Sequence, residues 1–423
     1  MKRVSALLLT CTLGLSALSG CSASAAPQPL SAQPVTISEE EMMRYDLETP
    51  AVWSALSEFG LDLLKTARQE GEGTLLSPLS AALALSMAAN GADGETLDQF
   101  REVLGDGASL EALNVSCSAL MKLYGGLGGS TECSIANSLW TDPEGRMQED
   151  FVGRCSGIFD AQVFQEDLSA PVIVPALNSW VSDHTAGMIP QIIQRPFGED
   201  AAALMVNALY LKNTWATKFD PSDTVTRDFT RADGTAEPLD FLQHFSRSLT
   251  YLQSGSDEGV LLPYDDGRLA FFALMPRQSS GVPDFERWLS SLPGEGLSAL
   301  LSGREETFFL RLSLPKFEQE WSGELKDALA ALGLTDAFDP DLADFSLLGD
   351  DPRGYYLSQV IHAARIEVNE EGTEAAAATV VAAASGAAPP QEGVTLIFDR
   401  PFLYGIVDLQ NGVPLFLGTF EGL

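Results

Sequence analysis

The chain is poor in the groups that carry catalysis or hold metals. Its 423 residues include three histidines and five cysteines, with no Cys-x-x-Cys pair. The metalloprotease pattern H-E-x-x-H, the hydrolase pattern G-x-S-x-G and a glycine-rich phosphate loop after a strand are also missing. These absences argue against an enzyme of the classes that these motifs mark, and against a zinc site. We expect neither a metal nor a cofactor.

Cations are also scarce. Lys and Arg number 25 against 59 Asp and Glu, which gives a net charge of −34. Such a chain repels nucleic acid, anionic lipid headgroups and heparin, so we expect none of them as partners. The negative net charge by itself indicates a soluble protein and does not identify a ligand.

The N-terminus has the pattern of a secretory signal over residues 1–20. Lys2 and Arg3 precede the apolar run Val4–Leu18, which is too short to span a bilayer comfortably. The run ends in "LSGC", which resembles the lipobox of bacterial lipoproteins. The resemblance implies a lipidated Cys21 and an extracellular protein held at the cell membrane surface by acyl chains alone.

A soluble secreted product, cut near Ala23–Ala26, is the alternative to lipidation. Residues 21–50 are rich in Ser, Ala, Pro and Gln, and this composition predicts a flexible tether. Cys117, Cys133 and Cys155 remain in the mature part, and three cannot all pair internally. We interpret them mainly as small buried residues, and a disulfide between two of them stays open.

One domain is predicted over residues 51–423, because the pattern is continuous and no second linker or repeat interrupts it. Helical spacing marks "WSALSEFGLDLLKTAR", "SPLSAALALSMAANGA" and "GETLDQFREVLG", with Ser77 as a cap and Pro78 in the first turn. Strand-like runs follow, among them "CSIANSLW", "ALMVNALYLKNTW" and "FFLRLSLPKFEQEW", the last predicted to end at Pro315. Early helices and later long strands favour an α+β fold with large, mostly antiparallel sheets.

The stretch "EEGTEAAAATVVAAASGAAPPQEG", residues 370–393, has the composition of a linker but joins no second domain. Only about thirty residues follow it, and they read as strands: "VTLIF", "PFLYGIVDL" and "VPLFLGTF". A plain helix is disfavoured because "TVV" and "SG" interrupt the alanines. An inert linker is disfavoured by the position of the stretch.

Seven blocks, in order, resemble the serpin family from residue 51 to 423. They are "SPLSAALALSMAANGADGETLDQF", "LNSWVSDHTAGMIPQII", "LMVNALYLKNTWATKF", "LPKF", "ADFS", "IHAARIEVNEEGTEAAAAT" and the closing pair "FDRPFLYGIVD" and "PLFLGTF". The resemblance implies the serpin fold and makes residues 370–397 the reactive-centre loop, an exposed bait for a protease. The resemblance further implies that a protease that cuts the loop would stay esterified to it while the loop inserts into the main sheet.

The sequence of the loop's first part, its hinge, suits such insertion. Alternate side chains of an inserted strand enter the core, so they must be small and uncharged. No proline, which would hinder insertion, occurs before Pro389. An inhibitor is therefore favoured over a non-inhibitory serpin that serves as a binding or scaffold protein, and a solute-binding lipoprotein or an enzyme fits less well. The hinge comprises Glu370, Gly372, Thr373, Glu374, Ala375, Ala376, Ala377 and Ala378.

The scissile bond is expected near Gly386, from the family's spacing of about sixteen residues after Glu370. The neighbours Ala384, Ser385 and Ala387 are equally open candidates. No Lys, Arg, Phe, Tyr or Trp occurs from residue 373 to 397, which disfavours trypsin-like and chymotrypsin-like pockets. We expect an elastase-like or subtilisin-like serine protease as the partner, with a papain-like cysteine protease as an alternative, and a monomeric inhibitor.

The resemblance also assigns residues that control insertion. The shutter, a hydrogen-bonded group beneath the main sheet, would contain Ser77, Ser80, Asn207 and His362. The breach, where the loop enters, would contain Trp215, and Lys316 would pair with Glu370 beside it. On general grounds these residues also fit a helix cap, a core histidine and core packing.

Overall fold

The computed structural model describes residues 26–246, 249–255, 257–277, 284–293, 297, 301, 304–305, 309–373 and 393–423. One of its helices spans Pro78–Ala89, with Ser77 as the N-cap and Pro78 as the first residue, as predicted. Within these ranges no helix is both long and apolar enough to cross a membrane. The α-helices with described bounds are α1 Glu39–Tyr45, α2 Thr49–Ala67, α3 Pro78–Ala89, α4 Gly94–Gly105, α5 Leu110–Tyr124, α6 Glu149–Ile158, α7 Ile173–His184, α8 Phe285–Ser291 and α9 Lys326–Ala331.

Within the described residues, the strands form three large sheets and one small pair. Their bounds are β1 Thr74–Leu76, β2 Glu132–Thr141, β3 Arg146–Met147, β4 Gln162–Gln165, β5 Ala203–Thr214, β6 Val225–Thr230, β7 Ala236–Ser246, β8 Thr250–Ser254, β9 Asp257–Pro263, β10 Leu269–Pro276, β11 Arg304–Glu305, β12 Leu310–Pro315, β13 Phe317–Glu324, β14 Gly349–Asp350, β15 Leu357–Val368, β16 Gly372–Thr373, β17 Val394–Ile397, β18 Phe402–Asp408 and β19 Pro414–Phe420.

The main sheet has the order β13-β15-β16-β5-β2-β4. A second sheet has the order β1-β19-β18-β10-β9-β8-β11, and a third has the order β17-β12-β7-β6. Most neighbours are antiparallel, and the parallel pairs are β2 with β4, β5 with β15 and β12 with β17. This architecture confirms the predicted α+β fold.

The main sheet is buried on both faces, which explains why β5 is apolar without alternation. Leu204, Val206 and Ala208 contribute to the smaller core under α7, together with Trp180. Met205 and Leu209 contribute to the larger core on the other side. A strand buried on both faces reads as a continuous apolar run, as this one does.

β5 and β15 are direct neighbours over one half of their length only. Leu357–Ala363 pair in parallel with Ala203–Ala208, and the last of these pairs is Ala363 with Ala208. Beyond that point the two strands diverge, and Gly372–Thr373 pair with both of them. The main sheet is therefore closed at one end and split by a two-residue strand at the other.

Residues 26–50 differ from the predicted tether, because they lie against the domain. The N–H of Leu30 donates to the carbonyl of Val163 at 2.7 Å, and that of Val35 donates to Gly153 at 2.9 Å. Leu30 and Ile37 pack against the larger core, and α1 begins with a capping box at Ser38. A few apolar residues among many polar ones hold this segment, and composition alone does not reveal them. The predicted signal and Cys21 lie outside the described residues.

The three cysteines of the domain are free thiols. Burial raises the pKa of Cys117 and of Cys133 to about 12 and also raises that of Cys155. Such thiols stay protonated at neutral pH and are poor nucleophiles. Cys117 and Cys155 are the small buried residues that the sequence predicted, whereas Cys133 is half-buried.

Candidate functional site

We call residues 370–397 the bait segment, and a tight turn brings its start into the split of the main sheet. The side-chain oxygen of Asn369 accepts the N–H groups of Glu371 at 2.9 Å and Gly372 at 3.3 Å. The Asn369 N–H donates to the Gly372 carbonyl at 3.1 Å. This turn reverses the chain at the end of β15 and directs Thr373 between β15 and β5.

Gly372 is required by close backbone contact. A Cβ atom at this position would lie 2.0 Å from the carbonyl oxygen of Asn213 and 2.8 Å from Cα of Thr214. No real Cβ atom tolerates such distances without backbone movement. Gly372 therefore lets the bait segment approach β5 closely enough to pair with it.

Thr373 is buried at the breach against two stacked rings. Its hydroxyl is hydrogen-bonded to the Tyr264 hydroxyl, and the Tyr264 ring stacks on Trp215 at 4.8 Å with an interplanar angle of 9°. The indole N–H of Trp215 donates to the Asn369 carbonyl at 2.9 Å, and its backbone N–H donates to Glu371 at 3.0 Å. The breach thus binds the turn, and its aromatic wall leaves Thr373 2% exposed.

Two ion pairs flank the turn. Lys316 Nζ lies 2.8 Å from a carboxylate oxygen of Glu370, and Lys218 pairs with Glu371. Burial opposes the ionisation of Glu370, but hydrogen bonds from Lys316 and Thr224 outweigh it and lower the pKa. Both lysines are more than 40% exposed, so each pair adds at most about 1 kcal/mol.

The four predicted shutter residues lie together where β5 and β15 are adjacent. The Ser77 N–H donates to Nε2 of His362 at 2.9 Å, and the Ser77 hydroxyl donates to the Leu415 carbonyl at 2.8 Å. The Ser80 hydroxyl donates to the Asn207 side chain, and His362 and Asn207 face each other in the register of β15 and β5. The group links α3 to both strands that an inserting loop would separate.

Comparison with known proteins identifies the fold. The family profile "Serpin (serine protease inhibitor)" matches residues 54–422. The chain belongs to the serpin family. A serpin of rice, Serpin-ZXA of Oryza sativa subsp. japonica, is 33% identical over 362 residues, which cover 82% of this chain and 89% of the rice protein.

Two solved structures of a thermophilic serpin, tengpin, are similar along most of the chain. The native state has 30% identity and a TM-score of 0.81, covering 94% of this chain and 97% of tengpin's. The latent state has 29% identity and a TM-score of 0.74, covering 92% and 100%. Serpins are in general protease inhibitors rather than enzymes, and the family membership of this chain supports the same general activity.

Some predicted site residues fall within the described part of this serpin and others do not. Glu370, Gly372, Thr373, Trp215 and Lys316 meet at the breach, as the preceding contacts show. The rest of the hinge, from Glu374 to Ala378, and the bond candidates 384–387 lie outside the described residues.

Sequence reasoning missed three contributors to the breach. Tyr264 supports both Trp215 and Thr373, and Asn369 shapes the turn. Lys218 pairs with Glu371, next to the Glu370 that pairs with Lys316. Only Asn369 left a local signal, since Asn before Glu-Glu-Gly at a strand end is typical of a turn.

Acid is expected to destabilise this serpin through His362. Complete burial lowers the pKa of His362 to about 4 from the usual 6.5, and the neutral ring accepts the Ser77 N–H. The unfolded chain therefore takes up the proton at higher pH. The stabilisation is fully present above pH 6.5 and is lost as pH falls from 6.5 to 4, in total roughly 3 kcal/mol.

Thermal unfolding at pH 7.5 and pH 5 measures this effect. His362→Gln, which keeps an acceptor but does not titrate, serves as the comparison. We expect the melting temperature of the variant to fall less between the two pH values than that of the wild type. Equal falls would mean that other groups carry the acid sensitivity.

Proposed function

We propose that this chain is an inhibitory serpin that traps a serine protease as a suicide substrate. The observation that carries the proposal is the pairing of Gly372–Thr373 with both β15 and β5. These residues form the first step of a strand that the following alanines would extend. The strands they would separate are in direct contact, so insertion has a defined path.

In the proposed reaction, the protease attacks the loop as it attacks a substrate. The protease serine oxygen forms an ester with the carbonyl carbon of the residue before the scissile bond. The peptide C–N bond breaks, and the new amine takes the proton released from serine. Insertion of the loop residues before the ester then carries the protease along the sheet and distorts its site before water can hydrolyse the ester.

The proposed target has a shallow specificity pocket. Small residues surround the expected bond near 384–387, and no cation or aromatic residue occurs from residue 373 to 397. Elastase-like and subtilisin-like serine proteases accept such side chains. A papain-like cysteine protease would form a thioester in place of the ester.

Mixing the mature serpin with pancreatic elastase or subtilisin tests the proposal. We expect a covalent complex that survives boiling in denaturant and the release of a C-terminal peptide ending at Leu423. The mass of this peptide identifies the scissile bond, which we expect between residues 384 and 388. A papain-like enzyme is the third arm of the experiment.

Cleavage in the loop without a complex, with all three enzymes, would contradict the inhibitory proposal. It would favour a non-inhibitory serpin that serves as a binding or scaffold protein. A catalytically inactive protease, with its serine replaced by alanine, is the matched control, because it can bind the loop but cannot form the ester.

A further inference from the structure

An exposed aromatic and cationic surface lies beside the C-terminal end of the bait segment. The rings of Phe245 and Phe309 stack with centroids 5.0 Å apart and an interplanar angle of 10°. The guanidinium of Arg311 lies over the Phe245 ring, 5.3 Å from its centroid. We name these three residues the Phe245 platform.

The platform is fixed to the third sheet and is open to solvent. Phe245 and Arg311 face each other in the register of β7 and β12. Phe245 remains 43% exposed, although stacked rings of this size usually find cover in a core. A rigid, exposed aromatic group with an adjacent arginine has the composition of an interface hot spot.

The platform adjoins the chain that leaves the bait segment. The N–H of Val394 donates to the Phe309 carbonyl at 2.9 Å, and a Cβ atom on Gly393 would lie 3.1 Å from Cβ of Phe309. Arg311 pairs in register with the exposed Thr395. The platform and the end of the bait segment therefore form one continuous surface.

A protease on the loop would reach this surface. The candidate bonds precede Gly393 by six to nine residues, which span at most about 20 to 32 Å when fully extended. A globular protease of about 220 residues has a radius of gyration of about 17 Å, and so a diameter of about 40 Å. The side of the protease that receives the residues after the scissile bond would lie over the platform.

The positive charge of Arg311 indicates which chemical groups a partner bound to the platform would present. Arg311 is exposed in a chain of net charge −34, and within the described ranges its guanidinium forms no ion pair and lies over the Phe245 ring. An unneutralised cation beside an apolar ring fits a partner that presents a carboxylate next to apolar side chains.

We propose that the Phe245 platform is a docking surface for the target protease, which binds it through a carboxylate and apolar groups beside its cleft. This inference rests on the proposed function, because it takes a protease that attacks the loop as the occupant. The platform would then supply selectivity that the small loop side chains cannot. Charged contacts at an interface mainly change the association rate.

The test measures the second-order rate at which pancreatic elastase and subtilisin consume the intact serpin, by complex formation and by cleavage together. We expect Phe245→Ala and Arg311→Glu each to lower this rate about tenfold or more with at least one enzyme. The matched controls are Leu342→Ala, at a side chain that is 59% exposed, and Arg287→Glu on α8, at one that is 84% exposed. Both controls should stay within about twofold of wild type, and melting curves establish that all four variants fold.

A synthetic peptide of residues 370–397 lacks the platform and should be cut more slowly than the loop of the wild-type serpin. Platform variants that are consumed at the wild-type rate by both enzymes would overturn the docking proposal. The ratio of covalent complex to cleaved product reports separately on the inhibitory proposal. Slower attack on the variants, with cleaved product only, would support docking and contradict trapping.

Discussion

Thr373→Arg is expected to abolish covalent trapping while the loop stays cleavable. The variant should therefore behave as a substrate, with more than about 90% of it recovered as cleaved serpin. The wild type should partition mainly to the boil-resistant complex.

The reason lies in the space around Thr373. Its hydroxyl bonds to Tyr264, the Tyr264 ring is stacked on Trp215, and the threonine is 2% exposed. An arginine here would place a charge against the Tyr264 and Trp215 rings, and the bonding partners of Thr373, the Tyr264 hydroxyl and the strands of Val368 and Asn213, offer no carboxylate. Burial of an unpaired charge costs several kcal/mol, so the hinge would leave the split and insertion could not begin.

Thr373→Ser is the matched control, because serine keeps the hydroxyl that contacts Tyr264 and fits the same space. It should trap the protease nearly as well as wild type. Trapping by Thr373→Arg at the wild-type ratio of complex to cleaved product would rule out insertion through this hinge. If both variants lost trapping, the cause would be a changed contact with Tyr264 and not the charge of the arginine.

The sequence predicted the elements whose signals are local. The helical periodicity of α2 and the serine and proline at the start of α3 were sufficient to predict both helices. The shutter residues are far apart in sequence, and only the resemblance to serpins brought them together. The structure then joins Ser77 to His362 across 285 positions, a contact that no periodicity contains.

The strand β13 and the role of Tyr264 were missed because the sequence patterns that mark them are weak. β13, Phe317–Glu324, was not predicted as a separate strand, because the run that contains its first residues was predicted to end at Pro315. Its inward residues Phe317, Gln319 and Trp321 do alternate with exposed ones, but glutamine weakens the apolar pattern. Tyr264 was missed because a single tyrosine after a strand is typical of many surfaces, and its role appears only when Trp215 lies beside it.

Cleavage of the loop is expected to raise the melting temperature of the serpin by ten degrees or more. Insertion would break the direct pairing of Leu357–Ala363 with Ala203–Ala208. It would replace this pairing with antiparallel contacts on both sides of a new strand, continuing the pattern that Gly372–Thr373 begin. About ten additional ladder hydrogen bonds at about 1 kcal/mol each give on the order of 10 kcal/mol.

An unfolding entropy of about 2.1 cal/mol/K per residue over the domain converts that free energy into a rise of roughly 13 °C. Burial of the alanine and valine side chains adds to it at about 25 cal/mol per Å². The measurement is a thermal melt of intact serpin and of serpin cut in the loop by a protease that does not become trapped. An unchanged melting temperature would identify a non-inserting serpin.

The cleaved Thr373→Arg variant separates insertion from the other consequences of cutting. Cutting alone removes a chain connection and should lower stability slightly, whereas insertion adds a strand. If Thr373 leads the loop into the sheet, the cleaved variant should melt well below the cleaved wild type, because its hinge cannot enter beside Trp215. Equal stabilisation of both cleaved proteins would mean that the loop enters without passing Thr373 into the breach, and the path proposed for insertion would be wrong even if trapping occurs.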